Sequence, residues 1–196
     1  ATPLLELGFG DLGTADFRLV SSSPREVVFE RTQSGVRVRK TFMFEEDSYR
    51  FRLRLEIANE GGAAAVAPAF GVMLPVRAHS GPDFRELTIS ILSQGSVERE
   101  LLAGFGQPGF FSRQPELEHR FQGDVEWVSG HSHYFITAVI PDLPRDALAT
   151  SFAFRPGEEA QVTVSQPPAA ILPGTSLVRE YSLFFGPKQP ELLSAV

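Results

Sequence analysis

Polar and apolar residues alternate most cleanly over residues 49–57. Tyr49, Phe51, Leu53, Leu55 and Ile57 take one side there, and Arg50, Arg52, Arg54 and Glu56 the other. A period of two sends successive side chains to opposite faces of an extended chain, so the segment predicts a half-buried strand rather than a helix. The same signal recurs around it. Val27-Val28-Phe29 and Val36-Arg37-Val38 flank Gln33-Ser34-Gly35, which reads as a hairpin. In its second arm Val36, Val38, Phe42 and Phe44 share a face, Lys40 excepted, against Arg37, Arg39 and Thr41. Near the end, Leu177, Arg179, Tyr181, Leu183 and Phe185 alternate with Val178, Glu180, Ser182 and Phe184.

One stretch is apolar on both sides. Phe135, Thr137 and Val139 point one way, and Tyr134, Ile136, Ala138 and Ile140 the other. Such a strand belongs in the middle of a sheet, covered on both faces. Pro141 closes it, having no N–H to give to a ladder. The strand before it carries the only tryptophan, Trp127, and the polar link between them holds His131 and His133. Further strands are predicted over 87–92 and 97–102, over 63–76 with a break at Pro68, and over 147–154 and 161–164; 4–7 and 17–20 are short candidates. Pro156-Gly157, Pro167-Pro168 and Pro173-Gly174 punctuate the chain at all-β spacing. The pattern predicts one all-β domain over 1–196, an antiparallel β-sandwich.

Two segments break the pattern. Residues 104–111 hold three glycines, a proline and three phenylalanines. They predict a long loop, either folded onto the sandwich or exposed, with Phe110 and Phe111 touching a partner or a bilayer. Residues 190–196 put Pro190 at a first helical position with apolar residues at helical spacing, so a short C-terminal helix is expected.

Composition narrows the class. With 42% hydrophobic residues and 17 phenylalanines the chain has material for a sizeable core. A net charge of -6 argues against nucleic acid, and on average against anionic lipid, though a local basic patch escapes that average. The absence of cysteine excludes disulfides and thiolate metal sites. No window approaches the roughly 18 apolar residues of a membrane helix.

Candidate chemistry is sparse. His131 and His133 near Asp124 and Glu126 raise a zinc site, but no cysteine or third placed histidine supports it; His79 and His119 lie far off. The glycine-rich run lacks the Lys-Ser/Thr of a phosphate loop, and no Gly-x-Ser-x-Gly elbow occurs. The arginines of 50–54 are either a docking stripe, with Arg52 and Arg54 as contacts, or a solvated face paired with glutamates. No metal, no cofactor and no catalytic residue is expected.

Three segments carry a resemblance. They are Gly123-Asp124-Val125-Glu126-Trp127-Val128 with Tyr134-Phe135 and Ile140-Pro141; Arg39-Lys40-Thr41-Phe42-Met43-Phe44 with its arginine-rich strand ending Ala58-Asn59-Glu60-Gly61; and Leu183-Phe184-Phe185-Gly186-Pro187-Lys188. In this order they resemble the periplasmic domain of the YidC membrane-protein insertase family. Trp127, Tyr134, Phe135, Pro141, Gly186 and Pro187 are its structural motif positions here. The resemblance implies a large twisted sandwich of the galactose-mutarotase type, with residues 187–196 starting a helix toward the next membrane span. It implies a non-catalytic platform, tethered at the periplasmic face of the inner membrane by spans outside this chain. Its partners would be Sec translocon subunits and nascent membrane proteins. The fold also raises an alternative, a carbohydrate-binding or mutarotase-like domain, whose histidine–glutamate pair no motif here places.

Overall fold

A computed structural model describes residues 6–7, 16–67, 70–76, 88–101, 118–122, 124–142, 149–154 and 160–189. Every regular element among them is a strand. In chain order these are β1 (Glu6–Leu7), β2 (Arg18–Ser22), β3 (Glu26–Gln33), β4 (Val36–Phe44), β5 (Arg50–Asn59), β6 (Ala65–Ala67), β7 (Phe70–Val76) and β8 (Thr88–Ser93). They continue with β9 (Ser96–Leu101), β10 (Glu118–Gln122), β11 (Val125–His131), β12 (Phe135–Pro141), β13 (Ala149–Phe154), β14 (Ala160–Gln166), β15 (Ala169–Ile171) and β16 (Ser176–Pro187).

Local chemistry sets the hairpins. Ser34 and Gly35 between β3 and β4, and Gln94 and Gly95 between β8 and β9, all take positive φ. Positive φ at both central residues makes a turn whose twist matches that of the flanking strands. A Cβ on Gly35 would come within 3.0 Å of the Gly61 Cα, so backbone closeness adds to the demand for glycine there.

The strands form a nine-stranded antiparallel sheet, β2-β3-β4-β5-β16-β12-β11-β8-β9, a five-stranded one, β1-β7-β14-β13-β10, and the pair β15-β6. The long β16 is the middle strand, with β5 on one side and β12 on the other. Register joins the apolar positions into continuous rows. Phe42, Leu53, Tyr181 and Pro141 are successive partners, as are Phe51, Leu183, Val139, Val128 and Ile91. That inner face holds the buried Val38, Leu53, Leu55, Ile57, Val128, Val139, Tyr181 and Leu183, and Val164 brings the five-stranded sheet into the same cluster. Lys40, the odd residue on this face, lies 3.7 Å from the centroid of the Phe17 ring, a cation–π contact.

Asn59 ties the end of β5 to the small sheet. Its buried side chain donates from Nδ2 to the carbonyls of Ala63 and Ile171, at 2.8 Å each, and accepts from the Gly61 N–H.

Several expectations need amending. Tyr49 and Phe44, assigned to the inner face, are 49% and 39% exposed. The strand over 134–140 is covered on both faces only in its second half: Ala138, Val139 and Pro141 are buried, while Tyr134 and Phe135 stand 71% and 62% exposed. The reason is position, since they sit at the end of the sheet, where no further row covers them. Pro187 belongs to β16, Lys188 and Gln189 follow without regular structure, and residues 190–196 lie outside the described residues. The strands on either side of Pro68, β6 and β7, lie in different sheets.

A groove on the outer face of the large sheet

The side of the nine-stranded sheet away from the core carries two different surfaces. Over β3, β4, β5 and β16 it is a lattice of ion pairs. Glu30 meets Arg39 at 2.8 Å, and Arg37 reaches Glu56 at 2.9 Å and Glu60 at 2.7 Å. Arg54 pairs with Glu180 at 2.9 Å, while Arg52 is exposed. The hydrogen bond to Glu60, opposed by burial, heads the effects that raise the Arg37 pKa above its ordinary value. Within the 50–54 stripe, Arg54 is thus held in an ion pair and Arg52 faces solvent.

Over β9, β8, β11 and β12 the lattice gives way to a groove of about 560 Å³, lined by Thr88, Ser90, Arg99, Leu101, Trp127, Ser129, His131, Ile136 and Lys188. Register explains its composition. Arg99, Ser90, Ser129 and Ala138 form one cross-strand row, and Leu101, Thr88, His131, Ile136 and Gly186 the next. Small side chains in the first row leave a floor, with Trp127 beside it. Lys188 reaches the groove because its N–H continues the ladder past β16, donating to the Tyr134 carbonyl at 2.8 Å.

His131 on this floor has a displaced pKa. Its Nε2 lies 3.0 Å from the Ser90 Oγ. Burial first, then the charges of Lys188 and Arg99, push it down to about 4. It is neutral at pH 7 and serves as a hydrogen-bonding group. No carboxylate lines the groove among the described residues, so a histidine–carboxylate pair is not assembled there from them. Where the sequence placed His131 in a link, it ends β11 and turns into the groove; His133 sits in the turn, its ring edge-on to Tyr134 at 4.4 Å between centroids. Glu126 accepts from the Gly95 N–H in the neighbouring turn, and Asp124 is exposed. No group of three or more metal-binding side chains occurs among the described residues.

The motif positions take distinct places. Trp127 lines the groove. Tyr134 and Phe135 cap the β11–β12 hairpin, Phe135 opposite Pro187. Pro141 is buried opposite Tyr181. Gly186 lies under the Tyr49 ring, where a Cβ would meet Tyr49 Cγ at 2.7 Å. Phe110 and Phe111 fall outside the described residues. Ser90, Ser129, Arg99 and Leu101 were not singled out from sequence, and Ile136 and Lys188 were read only as a strand position and a motif position; the small polar Ser90 and Ser129 within apolar strands were the available signal.

A broad antiparallel sheet packed on a smaller one defines the class: a galactose-mutarotase-like β-sandwich. Among solved structures, a putative aldose 1-epimerase from Escherichia coli K12 superposes with a TM-score of 0.62 at 14% identity, covering 90% of this chain and 70% of that one. A galactose mutarotase related enzyme from Lactobacillus acidophilus gives 0.60 at 12%, covering 90% and 73%. These likenesses concern the fold. The chain belongs to the YidC periplasmic domain family, whose family model matches residues 14–196. Proteins named membrane protein insertase YidC from Janthinobacterium sp. (strain Marseille) and Nitratidesulfovibrio vulgaris (strain DP4) are each 26% identical to it, over 87% and 92% of this chain. The chain spans 30% and 32% of their lengths.

Proposed function

We propose that this chain is the accessory periplasmic domain of a YidC-type membrane-protein insertase, a non-catalytic platform for protein–protein contacts during insertion and folding. The observation that carries the reading is the family match over residues 14–196. Its partners are Sec translocon subunits and nascent membrane proteins, and it works at the periplasmic face of the inner membrane, tethered by spans outside this chain. A filled core, an ion-paired outer face and a groove without a described carboxylate suit a rigid scaffold better than an acid–base site. Photo-crosslinkers at Arg52 or Arg54, or in the loop with Phe110 and Phe111, are expected to capture translocon subunits in membranes. Equal capture from every surface position would remove the docking edge.

A second reading, a carbohydrate-binding or mutarotase-like domain, draws on the fold likeness and on a groove floored by Trp127 and a neutral His131. Its test is polarimetry. Faster interconversion of galactose anomers in the presence of the chain, lost in His131→Gln, would favour it over the platform.

A further inference from the structure

Three exposed apolar side chains stand near the groove at one end of the large sheet. Tyr134 and Phe135 protrude from the β11–β12 hairpin, and Leu101 at the end of β9 is 56% exposed. They are neighbours through the ladder: Leu101 pairs with Thr88, Thr88 with His131, His131 with Ile136, and Phe135 with Pro187. Tyr134 in the β11–β12 turn and Phe135 at the start of β12 make this end of the sheet an aromatic tip. Two cations stand at this tip, Arg99 on β9 and Lys188 just after β16. Both make themselves felt at His131. On β9 the alternation sends Glu98, opposite Ile91, away from the groove side. Among the described residues the groove side of this corner is thus basic and aromatic, on a chain whose net charge is -6.

We propose that this corner, made of Tyr134 and Phe135, Leu101, Arg99 and Lys188 around the Trp127 groove, seats in the headgroup layer of a bilayer containing anionic phospholipid. Tyrosine rings settle at the headgroup level because one end is apolar and the other wet. Lys188 carries an apolar stem below its charge and lies along such a boundary. Arg99 presents a planar fork that matches phosphate oxygens. The inference rests on the accessory-domain reading only in that it needs a bilayer within reach.

Trp127 is the only tryptophan and lines the groove, so it reports on the contact. Flotation with vesicles of phosphatidylcholine plus phosphatidylglycerol is expected to carry the 196-residue chain upward, with Trp127 emission shifted to the blue and quenched by brominated lipid. Vesicles of phosphatidylcholine alone should bind less, and added salt should weaken the binding. Arg99→Glu is expected to lower partitioning roughly tenfold, reversing a charge close to the surface. The pair Tyr134→Ser and Phe135→Ser should lower it at unchanged circular dichroism, both side chains being exposed. Arg52→Glu, with the same change in net charge, should leave it in place. Absence of flotation, or equal loss in Arg52→Glu, overturns the proposal. So does an equal Trp127 response to soluble glycerol phosphate, which would make the groove a site for free anions. A chain that captures translocon subunits yet ignores vesicles sinks this inference alone, whereas vesicle binding without translocon capture sinks the platform and keeps the tip.

Discussion

A neutral histidine beside two cations couples the groove to pH. His131 is held at about 4 in the folded chain against 6.5 for an ordinary histidine. Below 6.5 the unfolded chain takes up a proton that the folded one refuses, so the contribution of His131 to stability declines as pH falls from 6.5 to about 4 and is constant beyond. The gap in melting temperature between the native chain and His131→Gln is therefore expected to change in favour of the variant across that window. A gap that stays constant from pH 7 to 4 would show that His131 titrates freely. Sequence exposed the histidine but not its role. Spacing put it near His133 and raised a zinc site that nothing else in the sequence supported; the end of β11 separates the two, one in the groove and one in the turn.

Strands and their turns were the most legible elements, because alternation and turn chemistry act over a few residues. The hairpin marked by Ser34-Gly35 forms where expected, and the strands expected over 87–92 and 97–102 join at Gln94-Gly95, with positive φ at each of these four residues. The short β10 and β15 were not foreseen; β15 has three residues and pairs only with β6, too few for a period to stand out. Gly186 gives a test at this scale. An added methyl would sit 2.7 Å from Tyr49 Cγ and 2.9 Å from Phe184 Cζ. Overpacking of this kind costs about 1–3 kcal/mol, so Gly186→Ala should lower the melting temperature by several degrees. Gly62→Ala, with nothing within 4 Å of the added carbon, is the matched control and should be near neutral. Equal melting of the two variants would mean that Tyr49 yields freely.

At the scale of the molecule, the mutarotase likeness concerns shape, and a ligand raises the melting temperature only if it prefers the folded state. Galactose or glucose is therefore expected to leave melting unchanged; a clear sugar-dependent rise would move the chain to the carbohydrate-binding class. The inner faces of β4, β5 and β16 were determined by sequence alone, since a period of two assigns each residue to a face without knowledge of its neighbours. The chain also carried, in its Trp127, Tyr134-Phe135 and Gly186-Pro187 segments, the marks of the family to which it belongs. What only the tertiary structure decided is the order of strands. Placing β16, the last strand, between β5 and β12 sets Arg54 against Glu180, and running β8 along β11 brings Ser90 to His131 across 41 residues of sequence. A groove is made by side chains on different strands that share a row, and the row is set by long-range register, which no local period contains.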